Sequence, residues 1–128
     1  MSRKVGRFED LIAWEKGMDL AVDIYAVTQK RPFSRDFRLC GQIQGAAVSV
    51  PSNIAEGFDR GSRAEFHRFL SIAKGSCAEL RTQIHLARRI GYLDDTTAGD
   101  LLTRAEEVSK IIGGLRAKVA TQRERSPR

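Results

Sequence analysis

Residues 39–55 read LCGQIQGAAVSVPSNIA, seventeen positions without one Asp, Glu, Lys, Arg or His. Leu39, Ile43, Ala46, Val50 and Ile54 recur at steps of three and four, with Cys40 and Ala47 beside them, so one apolar stripe runs along a helix. A helix with a single buried face carries charges on its wet side, and their absence predicts burial on several sides. Gly41, Gly45, Ala46, Ala47, Ser49 and Ser52 are small enough to let neighbouring backbones approach, at a cost in helix propensity for the glycines. Pro51 should kink this helix about a turn upstream or divide it in two. Ser34 or Asp36 can cap its start.

Three other segments carry the helical period. Leu11, Trp14, Met18, Ala21 and Tyr25 form a stripe that Asp10 can cap and that must end near Arg31, because Pro32 restricts the residue before it. Ser62 and Glu65 make a capping box for a third helix, and Gly91 suits its end. Phe66, Leu70, Ala73, Cys77, Leu80, Ile84 and Ala87 follow a heptad seam there, with Phe69, Ile72, Leu86 and Ile90 beside it. So wide an arc predicts two or more neighbours, one of them from another subunit. A fourth helix starts around Asp94 to Thr97 and carries Leu101, Ala105, Val108, Ile112, Leu115 and Val119, weakened locally by Gly113 and Gly114. No segment alternates as a strand does. The fold class is therefore all-α, an antiparallel up-and-down four-helix bundle over residues 11–120, with an N-terminal arm (1–10) and a basic, disordered tail (121–128). The broad apolar faces of the second and third helices imply a symmetric homo-oligomer.

A chain of 128 residues suits one domain. Arg3, Lys4 and Arg7 are followed by Phe8, Glu9 and Asp10 rather than by a signal-length apolar stretch, so a cytoplasmic location is expected. No run of apolar residues reaches membrane-spanning length. Cys40 and Cys77 lie within apolar patterns and read as small hydrophobes. The net charge of +6 is uneven: residues 58–91 hold 7 Lys/Arg against 3 Asp/Glu, while residues 1–57 hold 8 against 7 and residues 92–128 hold 7 against 6. Such a surface attracts polyanions.

Arg60, His67, Lys74, Arg81 and Arg88 recur every seven residues, with Arg63, His85 and Arg89 near them. Lys74 to Arg88 spans about 21 Å at 1.5 Å per residue, the length of several phosphates. Arg63, Lys74, Arg81, Arg88 and Arg89 are thus the candidate contacts for RNA or DNA; the alternative is an ordinary solvated face. No aromatic interleaves with them to stack bases. Asn53, Glu56, Arg60 and Glu79 are expected to satisfy one another and the backbone freed by Pro51, as a structural polar cluster rather than an acid–base pair. His67, Cys77 and His85 lie ten and eight apart, outside metal-ligand spacing, and neither a phosphate-binding loop nor a nucleophile elbow occurs. These readings argue against an enzyme, a cofactor and a metal.

Phe8-Glu9-Asp10-Leu11-Ile12-Ala13-Trp14, then Ala47-Val48-Ser49-Val50-Pro51-Ser52-Asn53-Ile54-Ala55-Glu56-Gly57 with Arg60, Phe69-Leu70-Ser71-Ile72-Ala73-Lys74-Gly75-Ser76 with Glu79-Leu80, and Gly91-Tyr92-Leu93 resemble the four helix bundle protein family. That family is also named for the 23S ribosomal RNA intervening sequence encoding some members. The match runs from about Phe8 to Leu115, and Cys77 departs from an aliphatic residue in many relatives. The resemblance implies an antiparallel bundle assembled as a ring-like homopentamer, with a poorly defined molecular role. The accessory variability proteins of diversity-generating retroelements are similar in fold and assembly and engage nucleic acid and a reverse transcriptase through a basic surface. Carried over, this makes the cationic stripe and tail candidates for RNA contact; nothing in this sequence points to a reverse-transcriptase partner. The expected function is a non-enzymatic oligomeric bundle that binds RNA or DNA through a basic surface, or else a protein–protein interaction scaffold without nucleic acid.

Overall fold

The computed structural model describes residues 5–125, with side chains through residue 121. After a 3-10 turn at Phe8–Asp10 come α1 (Ile12–Thr28), a second 3-10 turn at Phe33–Arg35, α2 (Phe37–Asp59), α3 (Arg63–Arg89) and α4 (Asp95–Arg125). The described residues contain no strand. α4 extends through residues 121–125, where the sequence had suggested a tail; residues 126–128 and the start of the N-terminal arm, residues 1–4, lie outside the described residues.

The helix starts follow cap chemistry at three of four places. Leu39 N–H donates to Asp36 Oδ1 at 3.0 Å, Glu65 N–H to Ser62 Oγ at 3.1 Å, and Thr97 N–H to Asp94 Oδ1 at 2.7 Å. Asp10 does not cap α1, because it closes the 3-10 turn and leaves Leu11 at the cap position. Gly91, at φ +86°, ends α3 in the left-handed conformation, and the following Tyr92 N–H returns to Ala87 O at 2.8 Å. Pro51 neither breaks nor divides α2, which runs unbroken from Phe37 to Asp59.

Two contacts on one seam show antiparallel order: Ser49 meets Ser76 while Gly57 lies against Phe69, and Asp23 meets Arg104 while Lys16 meets Glu107. Gln44 Nε2 donates to Thr28 Oγ1, Ser49 and Ser76 hydroxyls meet at 2.9 Å, and Lys74 reaches Ser109. α2 and α3 share the most extensive seam, α3 and α4 the next. The α1–α4 seam is thinner and is bridged by Arg104–Asp23 and by Lys16–Glu107 at 3.6 Å. Ile24, Phe33, Ile43, Ile54, Leu70 and Ile84 are fully buried at the centre, each worth about 1.5–3 kcal/mol in removal from water.

Gly57 fixes the closest approach of α2 to α3: a Cβ there would lie 2.5 Å from Phe69 Cβ. Gly57→Ala should therefore lower stability by about 1–3 kcal/mol despite its gain in helix propensity. Gly114, with open space around it, should gain roughly 0.5–1 kcal/mol on the same change. Urea unfolding of the two variants checks both signs.

Asp36 also accepts from Tyr92 Oη at 2.9 Å. The Leu39 amide, then the Tyr92 hydroxyl, hold its carboxyl below the ordinary aspartate value. A carboxyl depressed in the folded state contributes stability above its unfolded pKa and loses it as pH falls through the folded one. Tyr92→Phe should lower the unfolding midpoint at pH 7, and the deficit should shrink as pH falls below about 4.

Candidate interaction surface

α1 carries two apolar stripes, and the structure buries the less bulky one. Ala13, Gly17, Leu20, Ala21 and Ile24 face the core. Gly17 lies against Pro51, where a Cβ would meet Pro51 Cδ at 3.5 Å. Small residues on this line bring α1 close to α2, and the bulkier neighbours on either side become walls. Trp14, Met18, Val22 and Tyr25 from α1, with Val48, Pro51, Ser52 and Ala55 from α2, line an open groove of about 540 Å³. Phe8 closes its foot and packs edge-on against Trp14, ring centroids 5.5 Å apart. Val22 is 61% exposed and Tyr25 45%. The stripe Leu11–Trp14–Met18–Ala21–Tyr25, read from the sequence as core, is thus divided: Leu11 and Ala21 are buried, whereas Met18 and Tyr25 stand on the outside.

The outward side of α2 continues this uncharged region. Phe37 is 83% exposed, and Gly41, Gly45, Val48 and Ser52 are exposed along the same helix. Nothing lies within 4 Å of where a side chain at Gly41 or Gly45 would begin. Across α2 from the groove, α3 presents Ile72, Leu86 and Ile90 to solvent. Val22, Val48 and Phe37 were not singled out in the sequence. The signal available was the charge-free run itself, which covers exposed as well as buried positions.

The polar cluster expected around Pro51 separates into two. Asn53 Nδ2 donates to Ser49 O at 2.8 Å and to Ser49 Oγ at 2.9 Å, and Ser49 joins Ser76. Glu56 pairs with Arg60 at 2.8 Å, and Arg60 also approaches Glu65 at 3.7 Å. Glu79 has no hydrogen bond or ion pair with either group among the described residues: it lies fourteen residues beyond Glu65 along α3, about 21 Å at helical rise, and although Ser76 is one turn before it, that hydroxyl meets Ser49.

The cationic stripe turns toward α4. Lys74 Nζ donates to Ser109 O at 3.3 Å and Ser109 Oγ at 3.1 Å, lying over Gly113. Arg81 approaches Glu106 at 3.8 Å and Arg88 approaches Asp95 at 3.5 Å. Arg63 is exposed in the first turn of α3, and Arg89 is exposed with no ion pair among the described residues. Arg60 belongs to the end of α2 rather than to this stripe.

Cys77 is buried and its thiol pKa is pushed up by burial to about 11; Cys40 donates to Phe33 O at 3.2 Å, and burial raises its pKa too. Both are inert packing thiols. Among the described residues no group of three His, Cys, Asp or Glu could hold a metal ion, and no helix is long and apolar enough to cross a membrane.

The family model described as 23S rRNA-intervening sequence protein matches residues 9–114. No curated protein matches. Among solved structures, the chain is similar to a crystal structure of a protein of unknown function from the S23 ribosomal protein family of Bacteroides thetaiotaomicron VPI-5482. The TM-score is 0.75 at 23% identity, over 82% of this chain and 98% of that one. That likeness carries the bundle fold.

Because Lys74 is tied to α4, Lys74→Met should cost about 1 kcal/mol for its lost hydrogen bonds. Arg89→Met should stay within roughly 0.5 kcal/mol of the parent. Thermal or urea unfolding of the two variants, side by side, distinguishes a structural cation from a surface one.

Proposed function

This chain belongs to the 23S rRNA-intervening sequence protein family, and from that premise we propose that it is a non-enzymatic, self-associating helical scaffold of the cytoplasm. The observation that carries this reading is the groove between α1 and α2. Its walls are apolar apart from the indole N–H of Trp14 and the hydroxyls of Tyr25 and Ser52, so it holds no carboxylate, imidazole, thiol or amine with which to do acid–base or nucleophilic work. What it supplies is water-exposed Trp, Met, Val and Tyr surface. Covering each such side chain is worth up to about 1.5–3 kcal/mol, and contiguous patches of this kind mark association surfaces. The resemblance to ring-like homopentamers supplies the occupant, a second copy of the chain.

A second reading adds polyanion contact. Arg81 and Arg88 sit in exposed ion pairs longer than 3.4 Å, which contribute about 0–1 kcal/mol and are easily exchanged for phosphate. With Arg89 they leave three cations on one side of α3; Lys74 could join only by leaving Ser109. Three phosphate contacts predict affinity for RNA that falls roughly 40-fold between 50 and 200 mM salt.

Sedimentation equilibrium tests the scaffold. The wild-type mass should be several times the 14.3 kDa protomer, and Met18→Glu with Val22→Glu should return it to one protomer while keeping the helical circular dichroism. A wild-type monomer at about 100 µM would remove the reading, since stable assemblies of this kind bind at or below about 1 µM. For the second reading, a labelled structured RNA should bind at low salt and lose affinity in Arg81→Glu with Arg88→Glu; no binding at low salt would discard it.

A further inference from the structure

The seam between α3 and α4 changes its charge pattern partway along. Toward the end of α3 each cation that turns to α4 finds a carboxylate: Arg88 approaches Asp95 at 3.5 Å and Arg81 approaches Glu106 at 3.8 Å. One heptad before Arg81 the pattern stops. α4 offers Lys74 only the neutral Ser109, and farther along the seam α4 contributes a cation of its own, Arg116, whose Nη1 donates to Ser71 Oγ at 3.3 Å.

Two like charges from opposite helices are thus brought together. Ser71 and Lys74 are one turn apart on α3, as are Gly113 and Arg116 on α4, and Lys74 Nζ would lie 3.4 Å from a Cβ at Gly113. The two cationic heads therefore stand roughly one turn, about 5–6 Å, apart. Both side chains are half-buried, and neither is in an ion pair with a carboxylate among the described residues. Like charges so close repel, the more so where water is partly excluded. An anion between them would remove that repulsion.

Donor capacity remains for such an anion. An ammonium has three N–H donors, and Lys74 directs its contacts to two acceptors, Ser109 O and Oγ; a guanidinium has five, and Arg116 places one on Ser71. Gly113 carries no side chain to cover the Lys74 ammonium. Lys110 is exposed one turn before Gly113 on α4 and is in no ion pair among the described residues, so it adds to the positive field.

The charge of the pair selects its ligand. A backbone phosphodiester carries a single negative charge, whereas a phosphomonoester carries about 1.5 to 2 near pH 7 and presents three strong acceptor oxygens. We propose that Lys74 and Arg116 form a binding site for a phosphomonoester, the chemistry shared by free phosphate compounds and the terminal phosphate of an RNA chain. The site depends neither on self-association through the α1/α2 groove nor on Arg81, Arg88 and Arg89 meeting a nucleic-acid backbone.

Thermal unfolding of the full chain tests it, each variant being compared with its own midpoint in chloride. Inorganic phosphate at matched ionic strength should raise the midpoint by about 3 °C, and dimethyl phosphate, a singly charged diester, by less than half as much. Arg116→Met and Lys74→Met should each remove most of the rise, whereas Arg81→Met with Arg88→Met should keep it. A rise retained in full by Arg116→Met and Lys74→Met would be salt exclusion from the surface and would overturn the site. No rise at all, or an equal rise with dimethyl phosphate, would overturn it too. One RNA oligonucleotide made with and without a 5′-phosphate then separates the two sources. Binding at least about tenfold tighter with the phosphate, and lost in Arg116→Met, assigns the site to RNA ends; equal binding of the two, with the phosphate effect intact, assigns it to a free phosphomonoester.

Discussion

A helix with no charged residue over seventeen positions has no strongly hydrated side of its own, and the arrangement of this protein follows from that property of α2. Its inner stripe, Leu39 through Ile54, is covered by α1 and α3. Its outer stripe, with Gly41, Gly45, Val48 and Ser52, is covered by none of the described residues. Hydrophobic burial is nondirectional and scales with area, so an uncovered uncharged face joined to an apolar groove favours association with another surface.

The small residues of α2 act in two ways. Gly57 lets Phe69 approach from α3, and Pro51 takes Gly17 of α1 against its ring, so these positions set how near the helices lie. Gly41 and Gly45 are different, because no neighbour comes close enough to need them. Each costs up to about 1 kcal/mol of helix propensity. Within one protomer that cost has no visible return, whereas a second copy turned toward this side of α2 would use the open space.

Much of the fold was legible from period and caps. The α3 seam from Leu70 to Ala87 is buried as its spacing required, as is the α4 seam from Leu101 to Val119 except for the half-buried Leu115, and Asp36, Ser62, Asp94 and Gly91 mark helix ends where their chemistry placed them. α1 was the misleading element. Periodicity identifies an apolar stripe but not what covers it, and bulk drew the inward assignment to Trp14, Met18 and Tyr25 when Ala13, Gly17 and Leu20 pack inside. The basic stripe was legible as a line of charges, yet only the structure pairs Lys74, Arg81 and Arg88 with Ser109, Glu106 and Asp95 on α4. Such cross-helix partners have no signature in local sequence, which is also why Glu79 was grouped with Arg60, whose partner Glu65 stands about 21 Å away along α3.

Trp14, the single tryptophan of the chain, lies in the groove that the account assigns to a second copy. The most direct measurement is therefore acrylamide quenching of its fluorescence across a dilution series at constant buffer. The account predicts strong protection at high concentration, giving way to ready quenching and red-shifted emission as the mass falls to one protomer. Quenching independent of concentration, at the level of an open site, would contradict it.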